Sequence, residues 1–348
     1  MSYYLNTRVS LFRQRLWQDA DFDALIGAPA EEVPAALAER QLATLAIGFG
    51  GDTPLSLEGR IINELLRETR ILVRPLRDDE RRFIVYWTER FEISNLKTLI
   101  RAKMAGERSA AVADRLIDMG PFSRLDLDTL SHVEDVGELL RRLESSPYAG
   151  IVRNARRAFE QGHDPFILDA TLDRSYFEAL VRAAAPLRNT AGEGFGELMR
   201  WLIDRVNLVW LLRYRFNYGL PPAQVYYLLV ASPFGMAPDT LRRLVTRADL
   251  AGVLAELPAR LGRVLAGCTD IVELFMRLER ELVRRAHALL RVGGHALTRA
   301  FAYLILREYD LRGVRAVLRG RHLGLPPASI RQALGRWPAS AMQGAKGG

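Results

Sequence analysis

Cysteine occurs once in this 348-residue chain, as Cys268, which excludes an intrachain disulfide and any cysteine-rich zinc site. In its setting, Gly267-Cys268-Thr269, the residue reads as a small packed side chain rather than a nucleophile. Lysine is nearly as scarce. Lys97, Lys103 and Lys346 are the only three, so the formal charge of +8 and the pI near 9.8 rest almost wholly on arginine. Such a bias can come from gene base composition or from heat adaptation, without any anionic ligand. The charges are spread along the chain with acids among them, as in Arg77-Asp78-Asp79-Glu80-Arg81-Arg82, and predict a solvated, salt-bridged helical surface.

Long apolar runs are missing too. Val225-Tyr226-Tyr227-Leu228-Leu229-Val230-Ala231 falls far short of the roughly 18 to 20 residues of a membrane span. The opening Met1-Ser2-Tyr3-Tyr4-Leu5-Asn6 lacks the charged start, apolar core and cleavage site of a signal peptide, which predicts a protein kept in the cytoplasm.

The usual signatures of chemistry are absent. Gly48-Phe49-Gly50-Gly51-Asp52 is rich in glycine but lacks the lysine and hydroxyl that hold phosphate and magnesium, and reads as a turn. His132, His163, His287, His295 and His322 never stand three or four apart, the spacing that sets two metal ligands on one helix face. His287 and His295 are eight apart, with Gly293-Gly294 expected to break the helix between them. No Gly-x-Ser-x-Gly elbow occurs, and the acid pairs Asp21/Asp23 and Asp126/Asp128 read as caps or solvated turns. No catalytic residue, cofactor or metal is therefore assigned.

What is present is helical periodicity. Leu57 to Leu72, Phe83 to Met104, Phe195 to Phe216, Ile271 to Val292 and Ala296 to Leu318 place apolar residues three and four apart without proline, and no alternation supports a sheet. The fold class is all-α. Asp19 to Phe22, Ser123 to Asp128 and Asp169 to Asp173 read as capped helix starts. With 49% hydrophobic and 26% charged residues the composition is that of a folded protein, and the length suits two or three domains.

One pattern occurs three times. It reads Glu92-x-x-Asn95-Leu96-x-x-Leu99-Ile100-Arg101-x-Lys103, then Asp204-x-x-Asn207-Leu208-x-x-Leu211-Leu212-Arg213-x-Arg215, then Asp310-x-x-Gly313-Val314-x-x-Val317-Leu318-Arg319-x-Arg321. Asn95 and Asn207 are 112 residues apart, and Asn207 and Gly313 are 106 apart. Asp21, Asp135 and Asp249, each opening a similar short phrase, follow one another at 114. Gly219-Leu220-Pro221-Pro222 and Gly324-Leu325-Pro326-Pro327 follow the second and third copies, while the first has only Gly106. A threefold duplication follows, with expected helical domains at 1–118, 119–232 and 233–340 and a flexible tail at 341–348.

At about 100° per residue, each copy carries its acid, aliphatic residues and final base on one stripe. Acid ahead of base also suits the helix dipole. Arg101, Arg213 and Arg319 fall on the opposite side and are the candidate partner contacts.

Several phrases carry a resemblance: Tyr4-Leu5-Asn6-Thr7-Arg8-Val9, Asn95-Leu96-Lys97-x-Leu99-Ile100-Arg101-x-Lys103, Leu143-Glu144-Ser145-Ser146-Pro147-Tyr148, Asp173-Arg174-Ser175-Tyr176-Phe177-x-x-Leu180, and Asp204-x-x-Asn207-x-x-x-Leu211-Leu212-Arg213. In order and spacing they resemble the C-subunit family of the V-type/A-type ATPases, related to the d-type stalk protein of the vacuolar ATPase, from about residue 4 to about residue 335. Gly313 in place of Asn, and Arg in place of a frequent lysine, are departures. The resemblance implies a non-catalytic central-stalk adaptor shaped as a pseudo-threefold funnel. It would link the central axle subunits to the membrane rotor ring at the cytoplasmic face, so that ATP turnover is coupled to proton or sodium transport. A helical-repeat scaffold for other partners and a basic nucleic-acid binder share the periodicity or the charge and stand as alternatives.

Overall fold

The computed structural model describes residues 2–46, 54–162, 164–292 and 294–335, and every regular element among them is helical. The turn expected at Gly48 to Asp52, His163, Gly293 and the tail lie outside the described residues. The α-helices run α1 (Ser2–Arg13), α2 (Asp19–Gly27), α3 (Val33–Glu39), α4 (Ala43–Ala46), α5 (Pro54–Val73), α6 (Asp78–Met104), α7 (Ser109–Ala113), α8 (Leu127–Ser131), α9 (Val136–Leu143) and α10 (Ala149–Gly162). They continue with α11 (Pro165–Ala184), α12 (Glu193–Leu212), α13 (Pro222–Leu228), α14 (Pro238–Val245), α15 (Leu250–Ala255), α16 (Ala259–Leu265), α17 (Ile271–Val292), α18 (Ala296–His322) and α19 (Pro327–Leu334). All five helical stretches expected from periodicity are present. The stretch ending at Phe216 leaves α-geometry at Leu212 and finishes as a π-turn over Arg213–Asn217.

The chain divides into two compact units, Met1–Pro75 with Leu290–Gly348, and Leu76–Leu289. In the first, α18 is the central helix. Nearly every residue from Ala296 to Arg307 is buried, as expected of a helix that is apolar on all sides. Leu5, Val9 and Phe12, at helical spacing, turn one face of α1 inward, and Phe12 meets Tyr303 of α18 with ring centroids 5.6 Å apart. Arg307 is fully buried and its guanidinium holds Glu68 of α5 at 3.1 and 3.2 Å, while Arg15 approaches the same carboxylate at 3.1 Å and the Tyr303 hydroxyl donates to it. A buried charge tolerates that position only when paired and hydrogen-bonded on all sides.

In the second unit α11 lies against α6 and α12. Lys97 of α6 donates to both oxygens of Asp173 at 2.8 Å, and Tyr176 stacks on Tyr86 at 5.4 Å. On the other side Phe177 meets Trp210 edge-on at 5.5 Å. The expected helix start at Asp169 to Asp173 is thereby corrected. Both acids lie inside α11, where they pair with Arg101 and Lys97, and the cap is Asp164, which accepts from the Phe166 N–H at 2.8 Å. The other two starts hold: Asp126 accepts from the Thr129 N–H at 3.1 Å, and Asp21 in the first turn of α2 accepts from the Gln18 N–H at 2.7 Å.

Candidate functional site: three helix clasps and their outward arginines

Each motif copy builds the same device. Glu92 is fully buried midway along α6, and one of its oxygens accepts the N–H groups of Arg124 and Leu125 at 2.8 and 3.0 Å. Asp204 in α12 accepts the Met236 N–H at 2.7 Å, and Asp310 in α18 accepts the Trp17 N–H at 2.9 Å. Leu125, Met236 and Trp17 each stand two residues ahead of a short helix, α8, α14 and α2.

The final base secures the other end of that same helix. Lys103 donates to the carbonyl of Ser131, the last residue of α8, and Arg215 donates to that of Val245, the last of α14, at 2.9 Å. Arg321 reaches the carbonyls of Leu25, Ile26 and Ala28, at the end of α2, at 3.1, 2.7 and 2.6 Å. Acid and base stand 11 residues apart in every copy, roughly 16 Å along the helix, so the motif is a clasp that holds a short helix by both ends. The first amides and last carbonyls of a helix lack internal partners, which is why a carboxylate and a cation are suited to those ends.

This geometry changes two sequence expectations. The acids sit in mid-helix rather than in a first turn, so the dipole of their own helix does not explain them; they serve the amides of the incoming chain. The landmarks Asp21, Asp135 and Asp249 are also not equivalent. Asp135 and Asp249 cap α9 and α15, each at 2.8 Å, whereas Asp21 belongs to α2, the counterpart of α8 and α14.

The middle residue of the motif is the part that sequence reasoning left without a role. Asn95 donates to the Ile117 carbonyl at 2.8 Å and accepts from its N–H at 2.7 Å, and Asn207 does the same to Val230 at 2.9 and 2.8 Å. At Gly313 the space is taken. A Cβ there would stand 2.7 Å from Cε1 of Phe22, so the ring of α2 replaces the amide clamp in the third copy. The substitution of Gly for Asn was the visible signal. Gly235 is a similar case: a Cβ would lie 2.7 Å from Asp204 Oδ1, so glycine lets the Met236 amide reach the acid.

Electrostatics follow from burial. The Asp204 carboxyl is pushed up by desolvation, opposed by Arg260 and by the Met236 N–H. Glu89, one turn before Glu92 on α6, is likewise pushed up by desolvation, against its hydrogen bond and charge interaction with Arg124. Burial also raises the Cys268 thiol, in keeping with a packed cysteine. No group of three or more His, Cys, Asp or Glu among the described residues is arranged to hold a metal.

The three candidate arginines are all exposed, and they differ in their surroundings. Arg101 pairs with Asp169 of α11, Arg213 donates to the Tyr218 hydroxyl at 3.0 Å from within the π-turn, and Arg319 stands on the outer side of α18. Each is one to two turns ahead of a left-handed glycine that ends its helix: Gly106, Gly219 and Gly324, with φ of 68°, 68° and 66°.

A family model described as ATP synthase (C/AC39) subunit matches residues 5–333. The chain belongs to this family. Among its curated relatives, the C subunit of the A-type ATP synthase from Methanocaldococcus jannaschii is 22% identical over 342 residues, covering 95% of this chain and 85% of the relative. Its counterpart from Haloquadratum walsbyi is 26% identical over 345 residues, covering 94% and 96%. The counterpart from Thermococcus kodakarensis is 20% identical over 339 residues, covering 95% and 90%. This C/AC39 chain is thus a stalk subunit of a rotary ATP synthase and carries no catalytic site of its own. No helix among its described residues is long and apolar enough to cross a membrane.

Proposed function

We propose that this chain is the adaptor between the central axle subunits and the membrane rotor ring of an A-type rotary synthase. It rests on the cytoplasmic face and couples ATP turnover to proton or sodium transport. The observation that carries this reading is the family match from residue 5 to residue 333, almost the whole chain, together with a clasp built three times. A torque coupling needs stiffness and contact area rather than reactive groups, and side-chain clasps on both ends of a short helix supply stiffness.

The three duplicated stretches, 1–118, 119–232 and 233–340, serve in this reading as three similar helical domains of a funnel. The first two motif helices clasp the segment that follows them, and the third clasps α2 near the start of the chain. Arg101, Arg213 and Arg319 are the proposed contacts to neighbouring subunits.

Reconstitution of the complete machine with and without the chain tests the proposal. ATP hydrolysis is expected to lose its coupling to ion pumping when the chain is left out. Hydrolysis that stays fully coupled in its absence overturns the assignment.

A further inference from the structure

The net charge is not evenly distributed. Residues 1–18 and 311–348 contain no Asp or Glu, and they hold ten of the 49 Lys and Arg, so these ends carry +10 and the residues between them −2, giving the formal +8. Among the described residues both acid-free segments belong to the same compact unit.

Within that unit α1 has an unusual outer face. With Leu5, Val9 and Phe12 turned inward, the side left to solvent presents Tyr3 at 85% exposure, Tyr4 at 49% and Leu11 at 51%. A helix that ends a packed domain normally shows water a charged face, and three large apolar side chains on 12 residues point to a covered one. Cations border it on both sides. Arg8 donates to the Tyr4 hydroxyl at 2.9 Å and its guanidinium lies 5.2 Å from that ring. On the other border Arg299 of α18 donates to Asn6 Oδ1 at 2.7 Å and to Ser10 Oγ at 3.0 Å, both neutral acceptors, while its Nε has no partner. Burial, and next the nearby Arg13, hold the Arg299 guanidinium below the usual arginine range, and no carboxylate forms an ion pair with it among the described residues.

We infer that the outer face of α1, bordered by Arg8 on one side and by Arg13 and Arg299 on the other, docks an acidic amphipathic helix of another subunit of the synthase. The partner's apolar side chains would cover Tyr4 and Leu11 on one side of the face and Tyr3 on the other, and its carboxylates would meet the bordering arginines. Thr7, Ser10 and Gln14 separate Tyr3 from Tyr4 and Leu11 on this face, a polar row that a partner helix can meet with polar side chains of its own and hydrocarbon cannot, so a lipid surface fits less well. The inference rests on the reading of the chain as a synthase subunit, and it names the face and the kind of partner.

The test uses the full chain assembled with the other subunits of its complex. A double variant, Leu11→Glu with Arg13→Glu, alters two exposed positions and is expected to melt with the unaltered protein while its retention in the complex falls about tenfold or more. Benzoylphenylalanine in place of Tyr3 is expected to cross-link to a helical segment rich in Asp and Glu. Equal retention of variant and unaltered chain overturns this inference and leaves the functional assignment standing. Failure of the unaltered chain to be retained overturns the assignment itself. A cross-link to lipid, or binding to phosphatidylglycerol vesicles that the double variant loses, replaces the protein partner with a membrane surface and overturns the inference.

Discussion

The side chain of Asn95 forms a closed pair of hydrogen bonds with the backbone of Ile117, donating at 2.8 Å and accepting at 2.7 Å. Asn207 repeats the arrangement on Val230. A buried amide that satisfies both groups of one distant residue fixes that residue's position and orientation together.

Asn95→Ala and Asn207→Ala therefore leave a backbone N–H and a C=O unpaired inside the protein. Each is expected to cost about 2 to 4 kcal/mol, counting roughly 1 to 3 for each orphaned group with partial relief by water. Urea denaturation of the single variants checks this, and a loss under about half a kcal/mol at either position contradicts the clamp.

Gly313→Asn restores the residue found in the other two copies, and is expected to destabilise the protein by about 1 to 3 kcal/mol. The reason is the Phe22 ring, 2.7 Å from where the new Cβ would stand. Adding Phe22→Ala is expected to cost less in the Asn background than in the parent, so a thermodynamic cycle with no coupling between the two changes would refute the contact.

Arg307→Met strands the Glu68 carboxylate in the interior beside Arg15 and Tyr303, at an expected cost of about 3 to 5 kcal/mol. Replacing both, Glu68→Leu with Arg307→Met, should cost less than the single change, since both fully buried charges are then gone and Arg15, which loses its partner, is partly open to solvent. Thermal melting of the three proteins orders them.

Burial raises the Glu89 carboxyl, so the folded protein holds that proton more tightly than the unfolded chain does. The sign follows: stability from this group is fully present below the ordinary glutamate range and is lost as pH rises from there through the raised folded value. Glu89→Gln keeps an acceptor for Arg124 without the titration. Its melting temperature is expected to fall less than that of the unaltered protein between about pH 4 and pH 8, and parallel curves would rule Glu89 out as the source.

Arg213→Glu changes an exposed residue that donates to the Tyr218 hydroxyl. Its stability is expected to stay within about 0.5 kcal/mol of the parent while binding to the partner complex weakens. Unchanged retention of the triple variant at Arg101, Arg213 and Arg319 would remove these arginines as contacts.

The helices, their apolar stripes and the threefold motif were all legible in the chain, because a 3.6-residue period and a 106- or 112-residue step are properties of order along one dimension. Five helical stretches, two of three proposed caps and the exposed side of the motif arginines followed from that order alone. The family resemblance was legible for the same reason.

What the motif does needed the third dimension. Glu92, Asn95 and Lys103 looked like a stripe with a dipole-friendly order of charge, yet their partners, Leu125, Ile117 and Ser131, lie 22 to 33 residues away with no local signal to mark them. The third clasp joins Asp310 to Trp17 across 293 residues, a pairing that only packing α18 against the start of the chain creates. Periodicity determines which side of a helix is buried, because burial depends on the helix's own geometry. Which backbone group meets each buried carboxylate depends on where a separate segment is placed, and tertiary structure alone decided that.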